Sequence, residues 1–119
     1  MKKTLVFGAS PNKSRYSNIA VKRLKNHDHE VVPVGVRDGE ISGLQILKGH
    51  PDVDEVDTVT LYMNPQRQEA HYDYILGLKP NRIIFNPGTE NPELVRMAKE
   101  KEIQPVVACT LVMLATGEY

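Results

Sequence analysis

The chain lacks the features that mark several large classes of protein. It has 119 residues and one cysteine, Cys109, which excludes an intrachain disulfide and a cysteine-rich metal site. Its fifteen basic and fifteen acidic residues cancel, so the overall charge indicates neither a nucleic-acid partner nor a membrane surface. The longest apolar run, 106–115, is interrupted and far shorter than the ~18–20 residues that span a bilayer. The length predicts one domain over residues 1–119.

The first residues also lack the pattern of a secretory leader. The stretch "MKKTLVFGASP" has about four apolar residues before Gly8, whereas a leader has roughly 7–15. A lone cysteine is typical of a reducing compartment. We therefore expect a soluble, cytoplasmic protein.

The most informative absence is that of acidic residues near the start of the chain. Residues 1–27 contain seven Lys and Arg and no Asp or Glu, whereas the other 92 residues contain all fifteen acids. Basic charge collected in one part of a neutral chain indicates a local attraction for an anion. A solvated lysine-rich helix face is the alternative, and it accounts for part of the charge.

Short apolar runs alternate with amphipathic stretches along the chain. The runs predict five strands, at 4–8, 30–34, 57–62, 82–86 and 104–109. Their nearly continuous apolar character is typical of parallel strands that are covered on both faces. The predicted fold is α/β: a Rossmann-like, doubly wound, mostly parallel five-stranded sheet with helices on both faces. A flavodoxin-like or receiver-like strand order is the alternative.

Helices are predicted between the strands. The first has apolar residues at helical spacing from Ile19 to Leu24. Two later helices begin with the same pair of residues, Asn64–Pro65 and Asn91–Pro92, in which Asn is the N-cap and Pro takes the first helical position. Residues 35–55 predict only a turn followed by a short strand and a loop.

The loop after the first predicted strand, "GASPNKSRYS", has the composition of a phosphate site. Gly8 allows close approach of the backbone, serines supply hydroxyls, and Lys13 and Arg15 supply positive charge. The amides at the start of the next helix carry a partial positive charge that attracts anions. Neither G-x-x-x-x-G-K-[ST] nor G-x-G-x-x-G is present, so the loop predicts a phosphate without naming the ligand.

The end of the second predicted strand narrows the choice of ligand. Enzymes that use NAD place an acid there for the ribose hydroxyls. This chain has Arg37 instead, which suits the ribose phosphate of NADP or of coenzyme A. A solvated turn formed by Arg37 and Asp38 is the alternative reading.

Longer segments resemble a known family. "GASPNKSRYSNIAVKRL", "EVVPVG" and "EISG", followed by "TVTLYMNPQR" and "NPGTENPELVRMAKEKEIQPVVAC", resemble the stand-alone coenzyme A-binding domain family. That family is similar to the N-terminal domain of the succinyl-CoA synthetase alpha subunit. The resemblance spans almost the whole chain and implies a Rossmann-like fold that binds coenzyme A. One departure is that many members read P-V-N-P after the second strand, where this chain has Gly35 in place of the asparagine.

The resemblance also implies the residues of the site. The diphosphate would lie at the first loop and helix start, on Gly8, Ala9, Ser10, Arg15 and Ser17. The adenosine would pack near Pro33 and Val34 and near Tyr62, Asn64 and Pro65 of a later loop. The pantetheine would run toward Asn86, Pro87 and Gly88. Arg37 is the candidate for the ribose phosphate.

We therefore predict a small module that binds coenzyme A or an acyl-CoA without catalysing a reaction itself. The alternative is an NADP-dependent oxidoreductase or a small CoA-using transferase with the same cleft. No catalytic residue, metal ligand set, nucleic-acid partner or membrane partner is predicted, and a second copy or a protein partner is left open. Cys109 is the final residue of the last predicted strand, and it is either buried packing or a thiol near the ligand.

Overall fold

A computed structural model describes all 119 residues and confirms the α/β class. Its strands are β1 (Thr4–Phe7), β2 (Val31–Val34), β3 (Glu40–Ile41), β4 (Leu44–Gln45), β5 (Thr58–Leu61), β6 (Arg82–Phe85) and β7 (Gln104–Val107). Its helices are α1 (Tyr16–Asn26), α2 (Pro65–Gln68), α3 (Tyr72–Gly77), α4 (Pro92–Glu100) and α5 (Thr110–Thr116). No helix has both the length and the apolar composition needed to cross a membrane.

The five predicted strands form one parallel sheet in the order β2-β1-β5-β6-β7. Residues 35–55, for which the sequence predicted only a turn, a short strand and a loop, contain a separate hairpin of β3 and β4. After it, Leu47 forms a single parallel bridge with Val34 on the outer side of β2. In the Rossmann order 3-2-1-4-5 the third strand lies at that edge. The fold is therefore Rossmann-like, with its third strand reduced to one bridge.

Helices cover both faces of the sheet, as predicted. On one face α1 and α5 pack with the even-numbered side chains of β1 and β6, and this core includes Val6, Val21, Leu24, Ile84 and Leu114. On the other face α3 and α4 pack with the odd-numbered side chains, and this core includes Leu5, Val59, Ile75, Ile83 and Leu94. The alternation follows from the two-residue period of a strand.

The two Asn-Pro pairs cap their helices as predicted. Asn64 Oδ1 accepts from Arg67 N at 2.9 Å, and Asn91 Oδ1 accepts from Leu94 N at 3.2 Å. The helix after Asn64 is not continuous, because a 3-10 turn at Glu69–His71 separates α2 from α3. The segment buries Gln68, Ile75 and Leu76, whereas Ala70 on the 3-10 turn is exposed.

Candidate cofactor-binding site

A cleft of about 630 Å³ opens at the carboxyl ends of the strands. It lies between the loops after β1 and β5, which are adjacent in the sheet although their crossovers leave in opposite directions. The loops after β2 and β6 complete its walls. Open α/β sheets bind ligands at this position, and the volume is within the roughly 300–1,000 Å³ of ligand sites.

The walls of the cleft are basic and contain no acid. Arg15, Arg37 and Arg67 all line it, and no Asp or Glu does. None of the three arginines forms an ion pair, and Asp38, the acid next to Arg37, pairs with Lys48 at 2.8 Å instead. Unpaired guanidinium groups around a cleft favour phosphate or carboxylate ligands. Arg67 is a residue that the sequence analysis did not select.

The first loop offers free amides, but not those at its start. Gly8 N and Ala9 N both donate to Val34 O at 2.9 Å, which leaves neither free for a phosphate. The amides of Ser10, Tyr16 and Ser17 have no acceptor in the structure. A phosphate at this loop would therefore be held by the amides near the helix start and by Ser10 N.

The start of α1 is uncapped. Arg15 is the N-cap residue, and its side chain makes no capping hydrogen bond. The first turn contains no acidic residue, although an acid at this position ordinarily stabilises a helix. The positive end of α1, with its free amides and the neighbouring Arg15, is therefore available to an anion.

Eleven of the fourteen predicted residues line the cleft: Gly8, Ala9, Ser10, Arg15, Ser17, Val34, Arg37, Tyr62, Asn64, Pro87 and Gly88. The other three, Pro33, Pro65 and Asn86, do not. Pro33 lies within β2, where its carbonyl accepts from Leu47 N, and Pro65 is the first residue of α2. The cleft thus brings together residues from four separate loops.

Asn86 is buried inside the end of the sheet. Its Nδ2 donates to Thr60 Oγ1 at 2.6 Å and to Leu61 O at 2.8 Å, and its Oδ1 accepts from Thr110 N at 2.9 Å. Both hydrogens of its amide nitrogen are used, and its amide oxygen accepts one bond. Asn86 therefore holds β5, β6 and α5 together and positions the loop of Pro87 and Gly88.

Two aromatic side chains line the wall formed by the loop after β5. The Tyr62 hydroxyl is buried without a hydrogen-bond partner, and burial raises the pKa of this phenol. The ring of His71 contacts the ring of Phe7 edge to face, with centroids 4.9 Å apart. Burial lowers the pKa of His71, and the nearby positive charges of His50 and Arg67 lower it further. Like Arg67, His71 was not among the predicted site residues.

Comparison with known proteins decides the family. A sequence model of the CoA binding domain matches residues 2–115. The chain belongs to the CoA-binding domain family. No functionally curated protein matches it.

Solved structures of other proteins have the same fold. An uncharacterized protein shares 55% identity with this CoA-binding domain over 100% of the domain and 98% of its own chain, with a TM-score of 0.98. A hypothetical protein from Pyrococcus horikoshii OT3 shares 25% identity over 97% of this domain and 82% of its own chain, with a TM-score of 0.86. A Thermus thermophilus protein at 24% identity, covering 99% of this domain and 91% of its own chain, has the same fold with a TM-score of 0.85.

Two glycines of this CoA-binding domain are required by backbone packing. A Cβ on Gly35 would lie 2.1 Å from Ala9 O, so the asparagine that many family members have here does not fit. Gly8 has a φ of +102°, and a Cβ on it would lie 2.7 Å from Tyr62 O. The sequence predicted that Gly8 allows a ligand to approach the backbone closely. The structure shows that the close neighbour is the adjacent loop.

A second depression, of about 680 Å³, lies between α4 and the end of β7. Glu90, Arg96, Lys99 and Glu100 line it, so its charges balance. Unlike the cleft, this depression is not lined by charges of a single sign, and it has no uncapped helix start. Cys109 is half-buried and lines neither cavity.

Proposed function

We propose that this domain binds coenzyme A or an acyl-CoA in the cleft and acts as a binding module without catalysis of its own. The observation that carries the proposal is the set of three unpaired arginines in a cleft without an acid. A ligand with several phosphates supplies the missing negative charge. The family to which the chain belongs indicates which ligand that is.

The charges of the ligand match the distribution of the arginines. Coenzyme A has a diphosphate and a separate ribose phosphate, which together carry about four negative charges at neutral pH. In the proposal, Arg15 and the amides of Tyr16 and Ser17 bind the diphosphate. Arg37, on the loop after β2, and Arg67, in α2, bind the phosphate of the adenosine end.

The composition of the lining supports a binding role. No carboxylate, lysine or thiol lines the cleft, so it offers neither paired carboxylates nor a strong nucleophile. The proposal also places the protein in the cytoplasm, where its free cysteine stays reduced. NADP also has a diphosphate and a ribose phosphate, so the test includes it as a competing ligand.

Calorimetric titration with coenzyme A, acetyl-CoA and NADP tests the proposal. We expect both CoA ligands to bind more tightly than NADP, and Arg67→Gln to weaken CoA binding at least about tenfold. Arg96→Gln is the matched control, because Arg96 is exposed on α4 and pairs only with Glu100. Tighter binding of NADP would favour the oxidoreductase, and failure of CoA to bind would reject the proposal.

A further inference from the structure

Two histidines from distant parts of the sequence meet at the wall of the cleft. His50 Nε2 and His71 Nδ1 are 2.7 Å apart, which is the distance of a strong hydrogen bond. The bond occupies Nδ1 of His71 and leaves its Nε2 without a partner. His71 lines the cleft and His50 does not. Nε2 is therefore the His71 nitrogen that is left for a ligand.

The surroundings of the pair are aromatic and positively charged. The ring of His50 stacks on Tyr74 with centroids 4.5 Å apart, and the Tyr74 hydroxyl donates to Pro51 O at 2.7 Å. Arg67, from α2, is the charged group that acts on His71 besides His50 itself. The acid Asp52 acts on Tyr74, and no carboxylate is among the groups that act on His71. Neither histidine of the pair forms an ion pair with an acid.

The hydrogen bond between the two rings limits the number of protons that the pair can carry. When both rings are neutral, a donor at His50 Nε2 leaves His71 with its proton on Nε2, where it can donate to an anion. One further proton can be added without breaking the bond, because three protons then occupy four nitrogens and the fourth nitrogen accepts. A second added proton would place two donors face to face and break it.

We propose that the His50–His71 pair is a proton-linked part of the anion site. In it, His71 donates from Nε2 to a phosphate oxygen of the ligand, and the pair takes up one proton from solvent as the ligand binds. The inference rests on the proposed function and adds a ligand-contacting residue and a pH dependence to it.

The direction of the pH dependence follows from charge. In the free protein, burial and Arg67 disfavour protonation of His71, which keeps its pKa low. A bound phosphate cancels the repulsion from Arg67 and stabilises an imidazolium at His71, so it raises the pKa of His71. A group whose pKa rises on binding strengthens binding below its free-state pKa and loses that gain above its bound-state pKa. A rise of one pKa unit corresponds to about tenfold in affinity.

Calorimetry of dephospho-CoA and CoA from pH 5.5 to 8.0, in buffers of different protonation enthalpy, measures the proton uptake directly. The ribose phosphate of CoA itself titrates near pH 6, so the uptake by the pair is measured as the difference between wild type and His71→Gln with CoA. Dephospho-CoA lacks the phosphate assigned to Arg67 and should show little of this difference. With CoA, wild type should take up a fraction of a proton more than His71→Gln near neutral pH, and its affinity relative to that variant should be about tenfold higher at pH 5.5 than at pH 8.0. His71→Gln keeps a side-chain donor but cannot take up the proton. His27→Gln is the control, because His27 follows α1 at the opposite end of the sheet.

The outcomes separate the two proposals. Proton uptake that is lost in His71→Gln and kept in His27→Gln would support the pair as part of the site. Ligand binding with the same uptake in His71→Gln as in wild type would overturn the role of the pair and leave the proposed function intact. Absence of CoA binding at every pH would reject the proposed function itself.

Discussion

Replacing Arg15 by aspartate should change stability and ligand binding in opposite directions. Arg15 is the N-cap of α1, with the extended backbone of a cap (φ −78°, ψ 141°) but no capping bond from its side chain. Aspartate is among the preferred N-cap residues, and its carboxylate would accept from the free amide of Ser17. That amide is the one the proposed function assigns to the diphosphate.

The size of both effects can be worked out from this geometry. A gained N-cap stabilises a helix by about 1 kcal/mol, which in a chain of this length raises Tm by roughly 3–5 °C. A lost charge-assisted hydrogen bond costs about 1.5–3 kcal/mol, or roughly 10–150-fold in affinity. Because Arg15 is exposed, the loss should be near the lower end of that range. The new carboxylate adds repulsion to it.

Thermal denaturation of the free protein and calorimetry with coenzyme A measure the two effects separately. Arg15→Asn is the matched variant, since asparagine caps about as well as aspartate but adds no negative charge. Binding should weaken in the order wild type, Arg15→Asn, Arg15→Asp, while both variants melt above wild type. Unchanged CoA affinity in Arg15→Asp would refute the assignment of the helix start to phosphate. A lower Tm would refute the cap argument.

Three further predictions concern other parts of the fold. If Arg37 contacts the ribose phosphate, Arg37→Gln should remove the preference of the domain for CoA over dephospho-CoA, and calorimetry that finds no preference in wild type would reject the contact. Gly35→Ala should lower the free energy of unfolding by about 1–3 kcal/mol in urea, because its Cβ would lie 2.1 Å from Ala9 O, and an unchanged midpoint would contradict this close packing. Burial, the positive N-terminus and Lys2 hold the pKa of His29 below its ordinary value, so the unfolded chain binds this proton more readily and stability should rise with pH up to about 6.5. Urea titrations at pH 5.5 and 7.5 should show a smaller rise in His29→Gln than in wild type, and equal rises would exclude His29 as a source.

The strands and the helix starts could be predicted because their signals are local. Continuous apolar runs gave the five parallel strands, and Asn64 and Asn91 followed by proline gave two helix starts that the structure confirms. The break between α2 and α3 has no such signal. It depends on Gln68, which is fully buried and whose Nε2 donates to Met63 O and Thr89 O, a carbonyl 21 residues away. The spacing of apolar residues, from which helices are predicted, carries no information about these hydrogen bonds.

The location of the candidate site could be predicted from the sequence, but the hydrogen bonds made by its residues could not. The acid-free first segment pointed to the loop after β1, and the loops after β2 and β5 followed from the geometry of parallel sheets. The resemblance placed the diphosphate on Gly8, Ala9 and Ser10, yet the amides of Gly8 and Ala9 both donate to Val34 O. The bond between His50 and His71 joins a loop to a 3-10 turn, and neither neighbourhood carries a motif for it. Only tertiary packing brings these groups together.

The central claim is that the start of α1 and its loop receive the diphosphate of coenzyme A. Titrating coenzyme A into ¹⁵N-labelled protein and following backbone amide shifts tests it most directly. The account predicts saturable shifts that are largest for Ser10, Tyr16 and Ser17, with smaller shifts at the loops after β2 and β5. Shifts confined to the depression between α4 and β7, or no saturable shift, would contradict it.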